Sequence, residues 1–379
     1  MAPEPPKTVR TPSVQPPRGL RHLAETLKLT LFNGGPGQCV FPINNACNAA
    51  CDFCHFNRNQ LARDQWRFVP LQGAKDAIDI LYRNEVHYIV LTGGEPMMHP
   101  DLLEIAGHAK RAGMTVLLVT NGSLLTPQSC RALKENGVSS IFISIDAHEA
   151  SVHEKNRGLP KVLERIRKAN ALFKELGVQS TASVTMSRLI TDYEALPAFL
   201  EGLGFRSVTF SYPLVRLGSS FLGYADSNLV NFQSEELVRA FDSVQRLKKR
   251  FHVVNPATSL EEMRRFLRGE QQDFECLGGY KYFYLDWELQ LWRCHHWETP
   301  MCSIYDFDDS KRIRDGCQRC MIDCMRDPSV MQHIAISMSD AAGHVRAGRL
   351  GAAARTLLTK KNALSLKSAI EQWRWIVGL

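Results

Sequence analysis

Three cysteines fall within eight residues, Cys47, Cys51 and Cys54 of "NNACNAACDFCHF", at C-x3-C-x2-C spacing. A loop of this length can fold three thiolates toward one point. A four-iron cubane held that way keeps one iron without a protein ligand, open to a small chelating molecule and able to pass it an electron. Zinc is the competing occupant. A structural zinc site wants four ligands, and His55, which could be the fourth, adjoins Cys54 and would have to turn back sharply. Inert packing cysteines are disfavoured by the polar surroundings, "NNACNAACDFCHFNRN". Six more cysteines lie between 276 and 324. Cys276 and Cys294 bracket an aromatic segment at C-x17-C, "CQRCMIDC" carries Cys317, Cys320 and Cys324, and Cys302 stands between them. So many thiols in so short a stretch favour a metal over core filling. Here too a closed zinc site of Cys276, Cys294, Cys317 and Cys320 competes with an iron–sulfur cluster.

The chain has 379 residues, enough for one large core with an appendage or for two domains. Its start, "MAPEPPKTVRTPSVQPPRG", lacks the apolar stretch of a signal peptide. Eleven cysteines is an odd count that fits a disulfide framework poorly. A cytoplasmic, reducing location is therefore expected. The net charge of +7 is uneven: +3 over residues 1–38, +6 over 341–379, and so 7 − 3 − 6 = −2 over the middle. A slightly acidic body argues against a nucleic-acid partner.

What must position these thiols is an alternation of strands and helices. Apolar runs "CVFPI", "HYIVLT", "TVLLVT", "SIFISI", "STASVTM" and "SVTFSY" read as strands. Between them lie helical patterns such as "LQGAKDAIDILYRN" and "LPKVLERIRKANALFKELG". Six such repeats imply an α/β fold with a parallel sheet covered by helices. The pattern alone leaves open whether the sheet curls toward a barrel or is doubly wound. The aromatic and cysteine-rich segment after about residue 260 reads as a small α+β unit. The C-terminal residues read as a basic helical tail.

The first cysteine loop follows strand one, and Phe53 is the aromatic before its third Cys. "LTGGEP" (Gly93, Gly94, Glu95, Pro96) follows strand two, "TNG" (Thr120, Asn121) strand three, and "SID" (Ser144, Asp146) strand four, with Arg157 beyond it. This order resembles the radical S-adenosylmethionine (SAM) superfamily. The resemblance covers residues 39 to about 215 and implies a partial (βα)6 TIM-like barrel, with its chemistry at the C-terminal strand ends. It further implies a [4Fe–4S] cluster on Cys47, Cys51 and Cys54 that reductively cleaves SAM to a hydrogen-abstracting 5′-deoxyadenosyl radical. The Gly pair and Glu95 would hold the SAM amino group. Ser144 and Arg157 would reach its carboxylate, a planar partner suited to arginine. An external one-electron reductant such as flavodoxin or ferredoxin would be needed. Tyr212, ending strand six, is the candidate catalytic or substrate-facing residue.

The second cysteine group resembles the SPASM or twitch extensions of such enzymes. It departs from the full pattern in its shortened cysteine run and in the loss of the hairpin Gly around Trp287 and Glu288. One auxiliary [4Fe–4S] cluster is expected, on Cys276, Cys294, Cys317 and Cys320, with Cys324 and Cys302 in reserve. It would accept an electron, position substrate or brace the fold. Cys39 and Cys130 are expected to pack, and His295 and His296 to be surface or internally satisfied. The expected divisions are 1–38 (Pro-rich lead-in and helix), 39–260 (barrel), 261–335 (iron–sulfur unit) and 336–379 (basic tail). In the tail Leu366, Ala369, Ile370, Trp373, Ile376 and Val377 recur at helical spacing. They fit either a helix packed on the barrel or a peripheral contact with anionic membrane. Small-molecule, lipid-like and peptide substrates stay open, although 38 residues ahead of the barrel are few for a leader-recognition domain. Outside this class stand a non-catalytic electron carrier and a zinc-braced binding protein. The GGEP string and the Ser144/Arg157 pattern argue against both, since neither needs a pocket for methionine.

Overall fold

The computed structural model of the chain describes residues 28–213, 227–295 and 297–377, the last four by backbone alone. Strand β1 (Gly37–Pro42) runs through the cysteine loop into helix α1 (Leu71–Arg83). Then β2 (Val86–Thr92), α2 (Leu102–Ala112), β3 (Thr115–Thr120), α3 (Pro127–Glu135) and β4 (Val138–Ile145) alternate. Two helices follow, α4 (Ala150–Arg157) and α5 (Val162–Leu176), before β5 (Gln179–Thr185), α6 (Leu196–Gly202) and β6 (Ser207–Ser211). Local capping residues set the helix ends. Thr126 and Ser129 exchange side-chain-to-backbone bonds around Pro127 at the start of α3, and α2 and α5 end on Gly113 and Gly177 in the left-handed region.

Strands β1 to β6 pair in parallel and in sequence order, giving the partial barrel. Their apolar residues are buried because helices cover the outer face and the cavity residues the inner one. Helix α7 (Ser234–Leu247) leads to a two-residue β7 (His252–Val253) beside β6, too short to register as a sequence pattern, and then to α8 (Ala257–Leu267).

The aromatic segment does not fold away from this sheet. Strand β8 (Tyr282–Leu285) pairs in parallel with β1, matching Cys39 to Phe283. Then β9 (Gln290–Trp292) and β10 (Cys302–Ser303) extend the sheet antiparallel. The strand order is β10-β9-β8-β1-β2-β3-β4-β5-β6-β7. Helix α9 (Asp323–Arg346) runs unbroken through residues 335 and 336, where the cysteine-rich unit was expected to end. Helices α10 (Leu350–Leu357) and α11 (Lys360–Val377) pack on it. Residues 28–33 are helical; the rest of the expected lead-in helix and the Pro-rich start lie outside the described residues. Among the described residues no helix is long and apolar enough to cross a membrane.

Candidate active site

The cysteine loop is fixed by backbone contacts at the strand ends. Ile43 N donates to Thr92 O, Gly94 N to Asn44 O, and Glu95 N to Ala46 O at 2.7 Å, so residues 43–46 lie directly on the Gly pair. The glycines are required by this approach. A Cβ on Gly94 would stand 2.2 Å from Ala46 O, and one on Gly93 (φ +152°) 2.4 Å from Asn44 O. Farther along, Ala50 N donates to Arg157 O and Arg58 Nη1 to Asn48 O at 2.9 Å. Asn48, not singled out in the sequence, ties the loop to the TNG turn: its amide donates to Ser123 Oγ and its carbonyl accepts from Asn121 Nδ2, each at 2.9 Å.

Cys47, Cys51 and Cys54 line one cavity of about 450 Å³ with Phe53, Gly93, Gly94, Thr120, Asn121, Ser144 and Arg157. All these are expected cofactor residues, and the fold brings them together. Burial pushes the thiols of Cys47 and Cys54 up to about 12, against the pull of a backbone N–H on each sulfur. Ala49 N sits 3.4 Å from Cys47 Sγ. Three thiols, two buried and Cys54 half-buried, each raised above the usual range and each with a backbone N–H on its sulfur, suit a cationic iron site, which replaces their protons. Among the described residues no group of three or more His, Cys, Asp or Glu is arranged to hold a single metal ion. A cubane spreads its ligands wider than one ion does.

Glu95, Pro96 and Asp146 stand behind the cavity wall rather than on it. Glu95 is fully buried and its carboxylate is taken. Oε1 accepts from Met97 N (3.0 Å) and Thr120 Oγ1 (2.7 Å), and Oε2 from Asn121 N (2.7 Å). Burial nonetheless holds this carboxyl above its ordinary range. Its role in the structure is to brace the TNG turn. Asp146, also fully buried, accepts from Arg157 Nη2 at 2.5 Å and Asn156 Nδ2 at 2.8 Å. Burial opposes its charge, but Arg157 and His153 outweigh that and hold it below the usual range. Arg157 is thus aimed by Asp146, and its buried Nε has no hydrogen-bond partner among the described residues. A carboxylate-bearing ligand would supply one.

A further part of the cavity wall comes from the end of β6 and the start of α9: Tyr212, Asp323, Cys324, Asp327 and Met331, together with His295. Tyr212 faces the cavity as expected, but its hydroxyl is committed, donating to the Asp327 carboxylate (3.1 and 3.2 Å) and accepting from Asn255 Nδ2 (2.9 Å). Burial raises Asp327 to about 6, against its hydrogen bonds, and raises Asp323 to about 7. His295 is not a surface residue. It is 8% exposed, burial lowers it to about 3, and its Nε2 has no hydrogen-bond partner among the described residues. His296 lies outside the described residues.

Behind this wall Cys276, Cys294 and Cys320 are buried in one cluster, with Cys317 and Cys324 packed on it. Gly278 N donates to Cys276 Sγ (3.4 Å), a bond of the kind made at Cys47, and a backbone N–H at Ile322 serves Cys320 likewise. Arg326, fully buried and with an unpartnered Nε, adds a cation beside Cys276. The residues therefore fit an anionic thiolate-bound cluster. Of the two reserve cysteines, Cys324 joins this group and Cys302 does not. Cys302 sits on β10, where Lys311, Asp306 and Asp308 are its charged neighbours. Cys39 and Cys130 pack in the barrel core. A second cleft of about 580 Å³, outside the barrel around Arg167, Lys174, Arg206 and Arg250, contains none of the cysteines.

Comparison with known proteins bears on this cavity directly. Residues 41–194 match the description "Radical SAM superfamily". Residues 41–194 are a radical SAM domain. The AdoMet-dependent heme synthase of Oleidesulfovibrio alaskensis is 30% identical over 167 residues, 44% of this chain and 42% of that protein. The mycofactocin maturase MftC of Mycobacterium tuberculosis is 32% identical over 152 residues, 40% and 37% of the two chains. The chain thus spans less than half the length of these curated relatives. Streptococcus suis SuiB bound to its precursor peptide SuiA has a similar fold, with a TM-score of 0.56 at 14% identity over 83% of this chain and 76% of that one. The radical SAM domain and the partial barrel expected from the sequence are both present, and the cysteine loop, GGEP and TNG all lie inside the matched segment.

Proposed function

We propose that this chain is a radical SAM oxidoreductase with two [4Fe–4S] clusters, acting on a substrate held in the cavity between them. The observation that carries the reading is that one cavity is lined both by Cys47, Cys51, Cys54 and Arg157 and by Cys324, which packs on the second cysteine group. Cys47, Cys51 and Cys54 would hold the first cluster. Gly93, Gly94, Thr120 and Asn121 would line the amino side of SAM, and Ser144 with Arg157 its carboxylate. Cys276, Cys294, Cys317 and Cys320 would hold the second cluster. When bound, SAM and the first cluster supply hydrogen-atom abstraction, and an external one-electron reductant of the flavodoxin or ferredoxin type would feed them. The chain's own contribution is position and exclusion of water: Asp146 orients Arg157, Glu95 fixes the TNG turn, and the Tyr212–Asp327–Asn255 network locks β6 to α9. In this reading residues 39–260 serve the first cluster and 261–335 the second, on one continuous sheet.

The lining also favours one side of the substrate question. Among the described lining residues Arg157 is the one cation, while the wall at the start of α9 carries Asp323 and Asp327. A buried substrate end that is neutral or donates hydrogen bonds, as a peptide segment or an amine does, suits that wall better than a multiply anionic tetrapyrrole. Contact with a membrane surface is a separate part of the reading and concerns the C-terminal helices. Anaerobically reconstituted protein with dithionite and SAM should release methionine and 5′-deoxyadenosine, and Cys51→Ala should release neither. Equal turnover by that variant, or none by iron-loaded wild type, would sink the proposal.

A further inference from the structure

Helix α11 sits the wrong way round for a helix of a water-facing domain. Its buried stripe is polar: Asn362, Ser365, Ser368 and Gln372 are at most 3% exposed. Each is bonded inward. Asn362 Nδ2 donates to Thr356 O and Leu357 O, Ser365 Oγ accepts from Ile334 N, Ser368 Oγ donates to Thr258 Oγ1, and Gln372 Nε2 donates to Val253 O. The outward stripe is apolar: Leu366, Ile370 and Trp373, spaced i, i+4, i+7, are 50%, 66% and 63% exposed. Burying apolar residues and wetting polar ones is the ordinary preference of an amphipathic helix. Here the inner hydrogen bonds fix the helix in the opposite register, so its apolar side is left for something else. Leu357 and Leu358, at the junction with α10, are exposed as well, Leu358 by 85%. Of the two readings open from the sequence, packing on the barrel does not hold for Leu366, Ile370 and Trp373.

The charges say what that something is. Between residues 349 and 373 five cations are exposed: Arg349, Arg355, Lys360, Lys361 and Lys367. The one acid of that stretch, Glu371, points inward, 2.6 Å from Lys248 Nζ, and also accepts from Ala257 N. The helices that bear the apolar stripe, with the residue before α10, therefore carry five exposed cations and no exposed acid. A second copy docking by two-fold symmetry would bring ten of these cations together, which opposes self-association. An anionic lipid surface meets both requirements, taking Leu, Ile and Trp into its interface and the lysines among its headgroups.

We infer that α10 and α11 form a peripheral docking face for anionic membrane, a property independent of the radical SAM reading. The face lies flat on the lipid, with Trp373, Ile370 and Leu366 inserted and Lys360, Lys361 and Lys367 at headgroup level. The test is co-sedimentation of the full chain with vesicles of phosphatidylcholine alone or mixed with phosphatidylserine. The variants are Leu366→Ser/Ile370→Ser/Trp373→Ser and Lys360→Gln/Lys361→Gln/Lys367→Gln. All six positions are exposed, so thermal melting should match wild type. Binding is expected to the mixed vesicles only, to weaken with added salt, to be lost in the apolar variant, and to fall on the order of a hundredfold in the lysine variant. Failure of wild type to bind mixed vesicles overturns the inference. So does a dimer in lipid-free solution that the apolar variant converts to monomer, since the face would then belong to a second copy. SAM cleavage in solution should be unaffected in both variants, so a failure here leaves the catalytic reading standing.

Discussion

Glu95→Gln separates two roles for the acid of GGEP. The family resemblance assigns its carboxylate to the SAM amino group, whereas the structure spends it on the protein. Both oxygens are occupied, Oε1 by Met97 N and Thr120 Oγ1 and Oε2 by Asn121 N, at 2.7 to 3.0 Å in a fully buried pocket. A glutamine keeps one oxygen and turns an NH2 toward the other set. The Thr120 hydroxyl can rotate to accept from it, but a backbone N–H, of Met97 or Asn121, is then left facing a donor. An unsatisfied buried N–H costs about 1–3 kcal/mol. The variant should therefore lose about 2 kcal/mol in a urea melt of the reconstituted protein. SAM affinity, measured anaerobically by equilibrium dialysis on the folded fraction, should change by less than about tenfold, because Gly93, Gly94, Ser144 and Arg157 remain in place. A direct charge-assisted contact to an ammonium is worth on the order of a hundredfold in affinity. Wild-type stability with SAM binding lost by that factor would refute the bracing role.

Gly94→Ala should be among the most damaging single substitutions, since its Cβ would stand 2.2 Å from Ala46 O and the cysteine loop would have to lift. Iron incorporation at the first site should fall by more than half while the secondary structure seen by circular dichroism is kept; full loading would contradict the packing argument. Asp146→Asn leaves Arg157 buried without its anion and should cost about 3–5 kcal/mol, with a weakened affinity for SAM that Asp146→Glu partly restores. His153 is buried and lowered to about 4 by desolvation, while an unfolded histidine titrates near 6.5. As pH falls below 6.5 the unfolded chain takes up a proton that the folded one refuses, so stability is present above that pH and is lost toward pH 4. The loss is on the order of 3 kcal/mol. A His153→Gln variant, still able to accept from Asp146 N, should show a correspondingly shallower stability–pH curve over this window.

The chemistry-bearing residues were legible because each sits in a short local string whose spacing survives without knowledge of the fold. The cysteine loop, GGEP and TNG are read within a few residues, and the strand pattern then brings them to one end of a parallel sheet. Contacts made across the sheet were not legible. Nothing local marks Asn48 as the link between the cysteine loop and the TNG turn, and Glu95 and Asp146 are visible as acids but not as braces rather than contacts. The pairing of β8 with β1 joins residues some 240 positions apart, and the break in composition near residue 260 suggested a separate unit instead. Helix α4, which carries Arg157, is short and polar and leaves little hydrophobic period to find. Helix α11 shows its periodicity plainly, but the sequence cannot say that Asn362, Ser365, Ser368 and Gln372 find partners inside and so turn the apolar stripe outward.

The central claim, two clusters facing one cavity, is tested most directly by iron and sulfide analysis with EPR on anaerobically reconstituted wild type and on Cys47→Ala/Cys51→Ala/Cys54→Ala. The account predicts about eight iron atoms per chain in wild type and about four in the variant. A reduced signal that SAM perturbs should be present in the first and missing from the second, while the remaining signal ignores SAM. A variant that holds zinc alone, or no metal, would contradict the second cluster. A wild type whose signal is indifferent to SAM would contradict the account as a whole.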